Sequence, residues 1–369
     1  MDFKIDKRKI NIIDEDNKKF FDSYCRKDGY TYMPTIIPAV ERIIAIGDIH
    51  GDYELCIKLL KIGKVINDNL EWIGGSTVVV QVGDQVDRCR PFNNMTCNMK
   101  ETTLEDENSD IKILKLFTKL DSEAQKNVPP GKVISLLGNH ELLNVQGYMN
   151  YVSYEGLNKF TLEDSDSSEK QVIKSRQEYF KPGNKIAKFL ACSRLGSIII
   201  GSNLFVHAGL VDHFVRQLRD KKNNKTEVSI NNLAEINLKI QEWLMDLREK
   251  GYVDDIISGG KYSMFWNRIL GNLPEGVNMK NKKCSENISE VLKVFQINQM
   301  IIGHTPQSFI HNKQINATCS NKIWRIDNGS SKAFNVFDHQ YMKTGIVTES
   351  RKPQVLEILH DSIFNILKE

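Results

Sequence analysis

The stretch "VVVQVGDQVDRCRP", Val78 to Pro91, delivers Asp84, Asp87, Arg88 and Arg90 directly after a run of valines. Acids and arginines at the exit of a buried segment have little packing use and suit cation and phosphate chemistry. The pattern recurs along the chain. "AIGDIHGD" supplies Asp48, His50 and Asp52, "LLGNHE" supplies Asn139, His140 and Glu141, "FVHAGL" supplies His207, and "IIGHTP" supplies His304. Taken singly, "GDxHG" reads equally as a helix-capping turn, and "HAG" or "GHT" as a satisfied core histidine. Four of the eight histidines fall in these exits, however, and five unrelated coincidences are a poor account of that. Carboxylate, carboxamide and imidazole donors without thiolate suit catalytic manganese, iron or zinc, not a structural zinc site. Six such donors are too many for one ion with open positions. They suit two ions about 3.5–4 Å apart that share a carboxylate.

Elements that place these residues together can be read from the apolar spacing. "RIIAI" (42–46), "TVVVQV" (77–82), "KVISLL" (132–137), "SIIIGSNLFV" (197–206) and "MIIG" (300–303) are predicted strands. Between them, Leu55, Leu59 and Ile62, and then Ile113, Leu116 and Leu120, recur at helical spacing; "NLAEINLKIQEWLMDLREK" and "ISEVLKVFQI" are further predicted helices. Short apolar strands alternating with helices predict an α/β domain whose sheets are covered on both faces. In such sheets, residues just past the carboxyl ends of the strands gather along one edge, where ligands bind. Polar stretches at 93–110, 161–171 and 219–229 are predicted surface loops.

Bulk composition narrows the partners. Fifty basic and 47 acidic residues leave a net charge of +3, which gives no clustered excess for a nucleic-acid partner. No run approaches the roughly 20 apolar residues of a membrane span, and the charged start "MDFKIDKRKINIIDEDNKKF" has no secretory h-region. Seven scattered cysteines, odd in number and without C-x-x-C, read as reduced thiols, so the cytoplasm is the expected location.

In the order "GDxHG", "GDxVDR", "GNHE", "HxG" and a final histidine motif, the chain resembles the calcineurin-like metallophosphoesterases and, within them, the phosphoprotein phosphatases. "LLGNHELLNVQGYMNYVS", "MFWNR", "IIGHTPQ" and "WRIDNGSSKAF" are most similar to the bacterial-type branch, the Shewanella-like protein phosphatases. The resemblance implies a central β-sandwich flanked by helices. It also implies a catalytic domain over 42–350 with insertions near 90–110, 152–185 and 212–262, a lead-in over 1–41 packing on that body, and a C-terminal tail over 351–369. Two divalent metal ions are implied, manganese first with iron or zinc as alternatives, and a bridging hydroxide that attacks a phosphate monoester on a phosphorylated protein or peptide. Asp48 and His50 would hold the first ion, Asp84 would bridge, and Asn139, His207 and His304 would complete the second. His140 would be the general acid, oriented by Asp87, and Arg88 would clamp the phosphoryl oxygens.

Two departures qualify the resemblance. Cys89 occupies the glycine slot of "VDRG", either as a packed residue or as a redox-sensitive thiol. The phosphate-binding arginine that the main eukaryotic branch carries near its final histidine is missing, and Arg268 is either its substitute or a surface arginine beside Trp266. A dinucleoside polyphosphate hydrolase shares several of these motifs and stays an alternative, as does a catalytically silent scaffold. Phosphodiesterases of this fold often end in "GHxH", where this chain has Pro306. Phosphoserine/threonine and phosphotyrosine are both left open as substrates.

Overall fold

The structure is a computed structural model that describes residues 14–160, 169–221 and 227–369. Residues 161–168 and 222–226, which fall in the predicted loops 161–171 and 219–229, and the first 13 residues of the lead-in lie outside the described residues.

Among the described residues, two six-stranded sheets form the centre. One runs in the order β12 (Ile363–Lys368), β11 (Gln354–Leu359), β2 (Arg42–Ile46), β3 (Val78–Gln81), β4 (Lys132–Leu136), β5 (Arg194–Leu195). The other runs β1 (Ile36–Ile37), β6 (Ser197–Ile200), β7 (Asn203–Val206), β8 (Gln299–Ile302), β10 (Ile323–Arg325), β9 (Asn316–Thr318). Alternate residues of each strand serve different layers. Ile43, Ala45, Val78, Val80, Ile134 and Leu136 meet Ile198, Ile200, Phe205 and Ile301 of the facing sheet. Ile44, Ile46, Val79 and Val133 point the other way, onto Leu55, Leu59, Ile113, Leu116, Phe117 and Leu120 of the helices Tyr53–Ile62 and Asp110–Ala124. Both faces of these strands are therefore apolar, which is why their sequences read as continuous hydrophobic runs. The result is a mixed α/β fold, a β-sandwich flanked by helices.

Three expectations are corrected. "SIIIGSNLFV" is a hairpin rather than one strand: Gly201 turns the chain at φ +58°, and β6 and β7 pair antiparallel. The segment 351–369 is no tail, because β11 pairs antiparallel with β2 and brings β12 into the same sheet. The cysteines are not all free thiols. Cys25–Cys192, Cys89–Cys97 and Cys284–Cys319 are disulfides, and buried Cys56 is the free cysteine. Spatial approach across 167, 8 and 35 residues decides these pairs, and sequence spacing carries none of that information. The first bond ties the helix Glu15–Tyr24 to the body, where Phe20 and Phe21 are also buried. No helix among the described residues is long and apolar enough to cross a membrane.

Candidate active site

Strands β2, β3 and β4 run parallel, as do β7 and β8, so their carboxyl ends bring five loops to one edge of the sandwich. The loops are tied to one another by backbone and carboxylate bonds. The Ile49 and His50 amides both donate to the Asp84 carbonyl at 2.9 Å, and the His304 amide donates to Asp48 Oδ2 at 3.0 Å. Glu141 joins two exits, with Oε2 accepting from Gly138 (2.7 Å) and Asp84 (3.0 Å) and Oε1 from Gln85 (2.7 Å). Contacts this close exclude side chains at two points. A Cβ on Gly138 would lie 2.1 Å from Asp84 Oδ1, and one on Gly303 would lie 2.2 Å from Asp48 Oδ1. His50, Asp84, Asp87 and His304 all hold positive φ, between 49° and 73°. That conformation is uncommon for residues other than glycine.

Asp84 stands at the middle. Its carboxylate is 3.3 Å from His207 Nε2, 3.8 Å from His50 Nε2 and 3.9 Å from His140 Nε2. His50 Nε2 is also 3.8 Å from Asp48, and His207 Nε2 is 2.9 Å from Asn139 Oδ1. Two donor groups share Asp84: His50, Asp84 and His140, and Asp84, His207 and His304, each with its ligand atoms within 4.8 Å. The rings are oriented from behind. His207 Nδ1 bonds the Val82 carbonyl (2.9 Å), His50 Nδ1 the Val86 carbonyl (3.4 Å) and His304 Nε2 the Trp266 carbonyl (3.1 Å). Backbone partners of this kind fix the ring and leave the other nitrogen for a cation.

Electrostatics in this volume fit a cation site. Burial, then Asp327 and Asp84, raise the Asp48 carboxyl well above the usual range, and burial raises Asp327 to about 6. Burial also opposes ionisation of Asp84, but His207 and His140 outweigh it and hold that carboxyl low. Burial, followed by Arg90, holds the His50 imidazole well below its ordinary value, and burial, followed by His207, does the same for His304. Asp327 Oδ2 is buried with no hydrogen-bond partner among the described residues. At His207 burial lowers the imidazole but Asp84 outweighs it and raises it, whereas crowded carboxyls, an orphaned carboxylate oxygen and the protonation-resistant imidazoles of His50 and His304 suit a divalent cation.

His140 differs from the other imidazoles. Its Nδ1 is 2.8 Å from Asp87 Oδ2, so Nε2 faces the cavity. That cavity, about 480 Å³, is lined by His50, Asp84, Asn139, His140 and His304 together with Arg90, Arg268 and a rim of Tyr151, Trp266, Phe334 and Phe337. Arg268 is exposed at the mouth, where its Nη1 donates to the His304 carbonyl at 3.0 Å.

Arg88, expected as the phosphoryl clamp, is turned away. It donates to the Glu105 carbonyl (2.7 and 3.0 Å), the Gly51 carbonyl (3.1 Å) and Glu107 Oε1 (2.8 Å), and it is absent from the cavity lining. Cys89 lies outside the positive-φ region and is bonded to Cys97, so the thiol reading of this position is corrected. Sequence reasoning missed Asp327, Arg90 as a lining residue, and the layer behind Asp87. The "IDNG" motif was visible, but nothing in it announces a buried acid.

Residues 41–308 match the calcineurin-like phosphoesterase family, and the chain belongs to it. The family match and the buried donor groups sharing Asp84 support a metal-dependent phosphatase. The chain is 37% identical over 262 residues to an uncharacterized protein of Acanthamoeba polyphaga mimivirus, covering 68% of this chain and 97% of that one. It is 27% identical over 355 residues to Shewanella-like protein phosphatase 2 of Arabidopsis thaliana, covering 87% and 76% of the two chains. Among solved structures, a cold-active protein tyrosine phosphatase aligns with TM-score 0.60 at 20% identity, covering 92% of this chain and 82% of the other. A cold-active protein-tyrosine phosphatase of a psychrophile Shewanella sp. gives 0.57 at 19%, covering 92% and 83%.

Proposed function

We propose that the protein hydrolyses phosphate monoesters on phosphorylated proteins or peptides, using two divalent cations of which manganese is the first candidate. The observation that carries this reading is the pair of donor groups sharing Asp84. Asp48, His50 and Asp84 would hold one cation, and Asp84, Asn139, His207 and His304 the other. When bound, such a pair supplies an activated water and neutralises phosphoryl charge. The chain's own residues do the rest. His140 offers a proton at Nε2 to the departing alkoxide, and Asp87 fixes the ring through Nδ1. Arg268 approaches the phosphoryl group from the mouth of the cavity.

Phosphoserine and phosphothreonine fit this chemistry. The rim of Tyr151, Trp266, Phe334 and Phe337 supports phosphotyrosine as a second reading, because aromatic walls contact a phenyl ester over more area. The three disulfides support an oxidising surrounding rather than the expected cytoplasm.

Manganese-loaded protein should be assayed in parallel on phosphoserine, phosphothreonine and phosphotyrosine peptides, a bis-aryl phosphodiester and a dinucleoside tetraphosphate. Hydrolysis of the monoesters should be fastest and should stop on chelation. A metal-loaded protein inert towards all monoesters is a scaffold, and one fastest on the tetraphosphate belongs to the rival reading.

A further inference from the structure

Two arginines leave the same strand exit, and the structure gives them opposite environments. Arg88 is enclosed and neutralised. Beyond its hydrogen bonds to Gly51, Glu105 and Glu107, its Nη1 lies 3.7 Å from Asp52, and its side chain is only 3% exposed. Asp52 caps the helix Tyr53–Ile62, and the Glu105 side chain is paired with Lys332 and bonded by Tyr341. Arg88 is therefore a strut that binds the 93–110 loop to the first strand exit.

Arg90 is also buried, at 8% exposure, and it forms no direct ion pair, although Asp84, Asp87 and Asp327 act on its charge from further away. Among the described residues no carboxylate lies within ion-pair distance of it. Its Nη1 donates to two backbone carbonyls of its own turn, Asp87 at 3.1 Å and Cys89 at 2.7 Å. The guanidinium is flanked by the rings of Phe334 (4.6 Å) and Tyr151 (5.7 Å), the same rings that contact His50 and His140. Those aromatic faces hold the fork flat without consuming its donors. A buried arginine without an acid partner is costly unless an anion completes it. The cavity it lines also presents His50, Asp84, Asn139, His140, Arg268 and His304.

We propose that Arg90, and not Arg88, is the arginine that binds the substrate's phosphoryl oxygens, with Arg268 lining the same cavity. The turn is built to present it. Cys89, in place of the family's glycine, is pinned by its disulfide to Cys97 and by its amide, which donates to the Tyr151 carbonyl at 3.0 Å. The backbone on the near side of Arg90 is thereby fixed, and its guanidinium is presented to the cavity. The inference rests on the phosphatase reading above.

The test uses inorganic phosphate as the probe, titrated calorimetrically into manganese-loaded full-length protein, with metal content measured on each sample. Arg90→Ala should weaken phosphate binding about 10- to 100-fold at unchanged metal content, the usual range for losing a charge-assisted bidentate contact. Arg90→Lys should recover part of the affinity, because charge returns without the planar fork. Arg88→Lys should bind phosphate within about three-fold of wild type while melting at lower temperature. Wild-type affinity in Arg90→Ala overturns the proposal, as does an equal or larger loss in Arg88→Lys. If instead the wild-type protein binds phosphate but hydrolyses no phosphate ester, the phosphatase reading fails and the anion site stands.

Discussion

Asp87 Oδ2 lies 2.8 Å from His140 Nδ1, and both groups are buried. The carboxylate fixes which nitrogen of the imidazole points into the cavity, which suits proton delivery rather than metal ligation. His140→Asn should therefore retain metal while losing on the order of 10²–10⁴ in rate on an alkyl phosphate. The loss should be much smaller on an aryl ester with a good leaving group, which departs without a proton. Full activity towards the alkyl ester would remove the acid assignment.

Behind Asp87 lies a second layer. Arg176 Nη2 is 2.6 Å from Asp110 and 3.6 Å from Asp87, its Nε donates to Asn144 Oδ1 at 2.8 Å, and Asn144 Nδ2 donates to Asp87 Oδ1 at 2.8 Å. Arg176→Leu removes the cation that pairs with buried Asp110 and stands beside Asp87, and should cost about 3–5 kcal/mol in denaturant unfolding. Arg176→Lys should fold better and show the positioning role, with kcat falling more for alkyl than for aryl esters at similar KM.

Asp84 touches both donor groups, so its replacement affects both cations. Asp84→Asn should lower metal content at equilibrium dialysis. Chelation should lower the melting temperature of the wild type, because a ligand that binds only the folded state stabilises it. The variant's melting temperature should respond far less, and an equal response would place the cations elsewhere.

Asp327 gives a pH signature in the metal-free protein. Its folded value of about 6 exceeds an ordinary 3.8, so between these values the folded state holds the extra proton. Wild-type stability contributed by this group is therefore lost as pH rises from about 4 to 6. Asp327→Asn lacks that loss, and in chelator it should be more stable than wild type above pH 6, by on the order of 1–3 kcal/mol. The difference should vanish near pH 4 and shrink when manganese is added. Parallel unfolding curves at pH 4 and pH 7 check it.

The Cys25–Cys192 bond closes 167 residues and anchors the helix Glu15–Tyr24. Cys192→Ser should lower stability by up to about 5 kcal/mol on the chain-entropy account. An unchanged denaturation midpoint in non-reducing buffer would mean that the thiols are not joined in solution.

The candidate metal ligands were legible because each follows an apolar strand and a glycine, a local pattern that survives without coordinates. His50, Asp84, Asn139, His207 and His304 come together as the parallel-strand argument requires. Arg88 and Arg90 were not separable in this way. Both are arginines in one turn, and only the fold places Glu105, Glu107 and Asp52 around the first and aromatic rings around the second. The C-terminal strands were missed for a similar reason: their apolar residues are visible in the sequence, but that β11 pairs with β2 and brings β12 into the sheet is decided by the fold.

By itself, then, the sequence determined the layered α/β core and the chemistry gathered at its strand exits. These rest on periodicity and residue type, which act over a few neighbouring positions. Only the tertiary structure decided the cysteine pairs, the lack of a direct ion pair at Arg90, the Arg176 layer behind Asp87 and the orphaned oxygen of Asp327. Each of these depends on which distant group arrives within a few ångströms, and whether a buried charge meets a partner is a property of the packed chain.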